Sequence, residues 1–82
     1  AIGDPEKAVQ LLNRAVAAAP EHPLNHVYLA EAQIADERYL DAEVAIQKAR
    51  KLLGDAKWAS KRSEWKDVLA KVERKLKAKQ GQ

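Results

Sequence analysis

The sequence contains no cysteine, no methionine and no phenylalanine. Without cysteine there is no disulfide framework, no thiolate metal site and no cysteine nucleophile. Glycine and proline number three each. No run of about 18 apolar residues occurs, so no segment reads as a membrane-spanning helix. There is no glycine-rich loop to cradle a phosphate. Ser60 and Ser63 are the only serines, both fall inside a predicted helix, and no histidine lies near them in the chain, which argues against a nucleophilic triad. No acid–base pair or metal cluster stands out either, so no enzyme is expected and no cofactor is implied.

What remains is 82 residues rich in alanine (16) and charge (33%), with 18 Leu, Val and Ile. That is one domain or part of one, burying about 60–65% of its unfolded surface around a thin core. The composition fits a soluble helical protein rather than a sheet or a disordered tail. Net charge is +3 but unevenly placed: residues 1–53 carry −2 and residues 54–82 carry +5. A basic C-terminal end is either a solvated face or a surface for an anionic partner. No charged leader followed by an apolar stretch precedes the first helix, so no signal peptide is visible. The expected compartment is cytoplasmic, with the bacterial periplasm as the alternative.

Four helical segments are predicted. Asp4-Pro5-Glu6 starts the first, with Asp4 as cap and Pro5 preorganised for the first turn. Ala8, Leu11, Leu12, Ala15, Val16 and Ala19 recur at helical steps until Pro20 stops the run. The second segment extends from Pro23 to Ala35 and is apolar over a wide arc, suited to contacts on two sides. After the polar turn Asp36-Glu37-Arg38, the third runs from Tyr39 to Leu53 with Ala42, Ala45, Ile46, Ala49, Leu52 and Leu53 on one side. Gly54 is expected to end it in a left-handed conformation. The fourth is predicted over Ala56 to Lys79, capped by Asp55. Trp58, Trp65, Leu69, Val72 and Leu76 form its narrow seam and lysines crowd the rest. Residues 80–82 are expected to fray.

Shifting the first helix by 34 residues places Ala8 on Ala42, Leu12 on Ile46 and Ala15 on Ala49. Two small residues seven apart let helices approach closely, and the large aliphatic between them fills the gap. Here the chain resembles the tetratricopeptide repeat family. Leu29-Ala30 matches the large-then-small pair of the repeat's first helix; Tyr39, Ala42, Ile46 and Ala49 match its second. Asp4 to Pro20 matches the second helix of a preceding repeat, with Pro20 on the terminal proline. The resemblance covers about residues 3–54. Departures are His26 for a large aromatic, Gln33 for a tyrosine, Glu37 for a turn glycine and Gly54 for the proline.

The resemblance implies an all-α solenoid fragment of four helices: antiparallel helix pairs amounting to one and a half repeats over 3–54, then a long C-terminal capping helix over 55–79. It implies a protein–protein interaction scaffold that binds a peptide, a helix or a second copy. The inner surface of such repeats points at Leu24, Val27, Tyr28, Glu31, Ile34 and Ala35 for partner binding. The cationic clamp that some members use on chaperone carboxylates does not carry over, because lysine, arginine and asparagine are missing at the matching positions. With the preceding first helix absent, Ala8, Leu12 and Ala15 are expected to lack cover and to serve self-association as a homo-oligomer, or attachment to further repeats. The alternative function is nucleic-acid or anionic-surface binding by the basic fourth helix, with Trp58 and Trp65 stacking among Lys61, Arg62 and Lys66. Their place on the apolar seam argues instead for burial against the third helix, and nucleic acid is not the expected partner. His22 and His26 have chelating spacing, but Pro23 separates them and no third ligand is evident, so no metal is assigned.

Overall fold

A computed structural model of the chain describes residues 3–81. Four α-helices follow one another: α1 (Pro5–Ala18), α2 (Pro23–Ala35), α3 (Tyr39–Leu53) and α4 (Arg62–Gln80), with a 3-10 turn at Ala56–Trp58 before the last. No strand occurs among the described residues. The starts of α1 and α2 have local causes. The Asp4 carboxylate accepts from the backbone N–H of Glu6 at 3.0 Å and of Lys7 at 3.4 Å, and Pro5 opens the helix. His22 caps α2 in the same way, its Nδ1 accepting from Leu24 N–H at 3.3 Å.

The turn between α2 and α3 is held by two backbone bonds, Arg38 N–H to Gln33 O at 2.7 Å and Glu37 N–H to Ile34 O at 3.0 Å. That pattern requires a left-handed residue at the turn, and Glu37 supplies it with φ 61°. This is the position where the resemblance led one to look for glycine. A left-handed conformation crowds the Cβ of a non-glycine residue. Glu37→Gly is therefore expected to stabilise the fold by about 1 kcal/mol, read as a higher midpoint in urea unfolding. Gly54, expected to be left-handed, is not: its φ is −76°. Gln80 completes α4 and Gly81 caps it; Gln82, the end of the tail expected to fray, lies outside the described residues.

α2 is the central helix. It packs against α1, α3 and α4, and α3 also packs against α4. Val27 and Ala30 are completely buried, with Leu29, Ala32 and Ile34 close behind. The small residues of α3 sit where they are needed for close helix approach: Ala42 and Ala49 have no exposed surface, with Ile46 between them at 4%. Their counterparts Ala8, Leu12 and Ala15 on α1 are only half-buried. The repeated pattern is the same, but α3 is covered by both α2 and α4, whereas α1 packs on α2 alone among the strong helix contacts.

The expected fourth helix is shorter than the sequence reading had it. Asp55 does act as a cap, accepting from Lys57 N–H at 3.0 Å, but it caps the 3-10 turn. The chain then bends through residues 59–61, and α4 begins at Arg62. The cause is a long-range contact. The Arg62 guanidinium donates to the carbonyls of Leu53, Gly54 and Asp55 at 2.7, 3.3 and 3.2 Å. The carbonyls of Leu53 and Gly54 close α3 and have no further turn of helix to bond to, while Asp55 O, beyond α3, also accepts from Trp58 N–H at 3.1 Å. A straight helix from Ala56 would carry Arg62 away from them.

Candidate functional site

The face of α2 nominated for partner binding divides in two. Val27 is fully buried and Ile34 is 5% exposed, so both belong to the core. Leu24 is half-buried, and Tyr28, Glu31 and Ala35 are exposed. The last four are spaced 4, 3 and 4 residues apart, which puts them on one stripe along the helix. Tyr28 keeps 45% of its surface in solvent, a large amphipathic ring with no hydrogen-bond partner among the described residues.

α4 borders this stripe. Lys75 Nζ donates to Glu31 Oε2 at 2.8 Å, bridging the two helices. The pair is exposed on both sides, so it contributes at most about 1 kcal/mol to stability. A second bridge, Arg50 to Glu73 at 2.6 Å, ties α4 to α3 on its other flank. α4 is thus held on both flanks by ion pairs, with Leu69, Val72 and Leu76 buried beneath it.

The two tryptophans do not share a helical seam, since Trp58 belongs to the 3-10 turn and Trp65 to α4. They come together with His22, whose ring centroid lies 5.0 Å from Trp58 and 5.2 Å from Trp65; the tryptophans are 5.3 Å apart. All three are half-buried. This cluster staples the α1–α2 connection to the segment before α4, and aromatic pairs in such tilted arrangements add about 0.5–1.5 kcal/mol each. The recognisable partner is therefore His22, where the sequence pointed to the third helix. With the rings in contact with one another and Arg62 bonded to α3 carbonyls, the arrangement proposed for base stacking over phosphates is otherwise engaged.

The histidines have structural duties. His26 is buried and its Nε2 lies 2.7 Å from Pro20 O, an N–H donated to a carbonyl. His22 uses Nδ1 as a cap. Asn25 adds to the same junction, its Nδ2 donating to Ala15 O and Ala19 O at 3.3 and 3.4 Å. Among the described residues no three His, Cys, Asp or Glu gather as metal ligands.

On α1, Ala8 and Leu12 pack against the core and Ala15 is half-buried, so the face nominated for self-association is partly covered by α2. Leu11 is the exposed apolar residue there, at 62%. Two further exposed apolar residues, Leu40 at 77% and Val44 at 56%, are on α3 and lie outside the residues the sequence nominated. The steps of 4, 3 and 4 through Leu40, Val44, Gln47 and Lys51 mark a face distinct from the alanine face, and that signal was available.

A series of helices joined by short turns, with a central helix packed on its neighbours and fully buried small residues on the helix beside it, is the architecture of a helical repeat. The sequence profile of the tetratricopeptide repeat family matches residues 1–72. The chain belongs to the tetratricopeptide repeat family. The match runs beyond the residues that carried the resemblance, through the 3-10 turn and the first part of α4. The family context therefore includes the start of the helix that reads by sequence as a cap. No curated protein and no solved structure matches the chain. Tetratricopeptide repeats generally mediate protein–protein interaction and are typically non-catalytic scaffolds. No helix of the chain is long and apolar enough to cross a membrane, among the described residues.

Proposed function

We propose that this repeat protein docks a peptide or a helix on the stripe Leu24, Tyr28, Glu31 and Ala35 of α2, beside α4. The observation that carries this reading is Tyr28. A ring nearly half in solvent, on a rigid helix, between an apolar neighbour one turn away and a charged pair on the other side, is the usual makeup of a recognition surface. Glu31 and Lys75 add a paired edge that a partner can enter by exchanging one ion pair for another. The mechanism is complementary burial on a surface held in place by the core. Val27 and Ile34 support that surface from beneath and do not form it.

The alternative, anionic binding through the basic end, has less support. Arg62 and Lys75 are engaged within the chain, and Lys61 lies 4.0 Å from Glu64. Peptide-display selection on the chain, followed by titration of the enriched peptides, tests the proposal. Tyr28→Ala is expected to weaken their binding by about tenfold or more. Raising salt from about 0.1 to 0.5 M should change it only a few-fold, whereas phosphate-type contacts would fall by orders of magnitude. Peptides indifferent to Tyr28→Ala would remove this stripe from the account.

A further inference from the structure

We infer that the outer face of α3 is an interface for a second copy of this chain, paired antiparallel. The face combines two features, an exposed apolar strip and charges sorted by sign along the helix. Leu40 and Val44 are the apolar residues of a shallow depression completed by Glu43, Gln47, Lys48 and Lys51. Both are largely in solvent, one turn apart. The charges around them are sorted by sign: Asp41 and Glu43 precede the middle of the helix, and Lys48, Arg50 and Lys51 follow it. All five are exposed.

Acidic-first, basic-last order also suits the helix dipole. The dipole, however, asks for no leucine in water. It does not explain why none of these charges has an opposite partner three or four residues away within α3. Among the described residues Asp41, Glu43, Lys48 and Lys51 form no ion pair at all; only Arg50 does, with Glu73. A helix with one negative and one positive half around an apolar strip is complementary to itself when reversed. Setting Val44 beside Gln47 of the second copy, and Leu40 against the aliphatic stem of its Lys51, brings Asp41 near the copy's Lys48 and Glu43 near its Arg50. Each contact occurs twice, as two-fold symmetry demands. A parallel arrangement would set each half against its own sign. This surface is separate from the α2 stripe, so self-pairing leaves that stripe open.

One helix face is small beside the about 800 Å² per partner of a standard complex, so the pairing is weak, with a Kd of about 0.1–1 mM. Sedimentation equilibrium of the whole chain is the experiment. The expected result is a monomer–dimer equilibrium that weakens with salt. Leu40→Ser should weaken it by about tenfold. Asp41→Lys and Lys48→Glu should each abolish self-association at these concentrations, because each places like charges together twice. An equimolar mixture of the two variants should dimerise again, since every 41–48 contact between them then joins opposite signs. Far-UV circular dichroism confirms that each variant is folded. A wild-type chain that sediments as a monomer up to about 2 mM overturns the inference. So does a dimer unaffected by both charge reversals, or a mixture that stays monomeric.

Discussion

Val27→Glu is expected to leave the chain largely unfolded at 25 °C. Val27 has no exposed surface and sits on α2, which packs against all three other helices. A carboxylate there would lie in the core, and no cation within the described ion pairs is buried to meet it. Stranding a charge in a packed interior costs several kcal/mol, about 3–5 where it has been measured by breaking buried pairs. The lost valine contacts add to this. A domain of this size has about 4–12 kcal/mol in total, so little folded protein would remain. Val27→Ala, which removes two methyl groups without adding charge, should cost about 2 kcal/mol and leave a cooperative transition. Far-UV circular dichroism and urea unfolding of both variants check this. A folded Val27→Glu chain would mean that the central helix is not where the structure has it. The consequence is practical: this substitution cannot serve to test partner binding, and Tyr28 is the residue that can.

Arg62→Ala is expected to be the most damaging substitution of a surface-reaching charge. The guanidinium is half-buried and donates to two carbonyls at the end of α3, those of Leu53 and Gly54, and to that of Asp55, which opens the 3-10 turn. Hydrogen bonds to charged groups contribute about 1.5–3 kcal/mol, and their loss here also leaves the carbonyls of Leu53 and Gly54 without this donor. A loss of about 2–3 kcal/mol follows. Arg62→Lys should recover less than half of it, since an ammonium on a flexible stem does not reproduce a planar fork reaching three oxygens. Tryptophan fluorescence carries the second readout. The residues that Arg62 grips lead directly into the turn bearing Trp58, so loosening them should loosen the His22–Trp58–Trp65 cluster and shift emission to the red. An alanine variant with wild-type stability and emission would show that the bend before α4 has another cause.

The helix bounds were legible where local chemistry sets them. Pro20, Pro23 and the polar turn at 36–38 marked α2 and α3, whose ends coincide with the expected ones. The 34-residue recurrence located the alanines that lie at the close crossings. The start of α4 was not legible, because the bend is caused by a contact between Arg62 and carbonyls seven to nine residues earlier, which no periodicity displays. The seven-residue step between Trp58 and Trp65 looked like one seam only on the assumption of one unbroken helix. The left-handed residue fell at Glu37 and not at Gly54, because the bonding pattern at the end of α2 requires it while α3 ends without it.

The candidate site was legible in outline. Spacing selected the helix and the stripe, but α2 is apolar over so wide an arc that only packing shows which residues α1, α3 and α4 cover. Val27 and Ile34 went to the core for that reason, and Tyr28 stayed outside. Lys75, which meets Glu31 from 44 residues away, has no sequence signal.

Chemical-shift mapping of the isotopically labelled chain with a display-selected peptide addresses docking most directly. Perturbed amides should cluster at Leu24, Tyr28, Glu31 and Ala35, continue on the neighbouring part of α4 around Lys75, and spare Lys66, Lys77 and Lys79. A cluster on those three lysines instead, or one spread over α1 with α2 silent, would contradict the account.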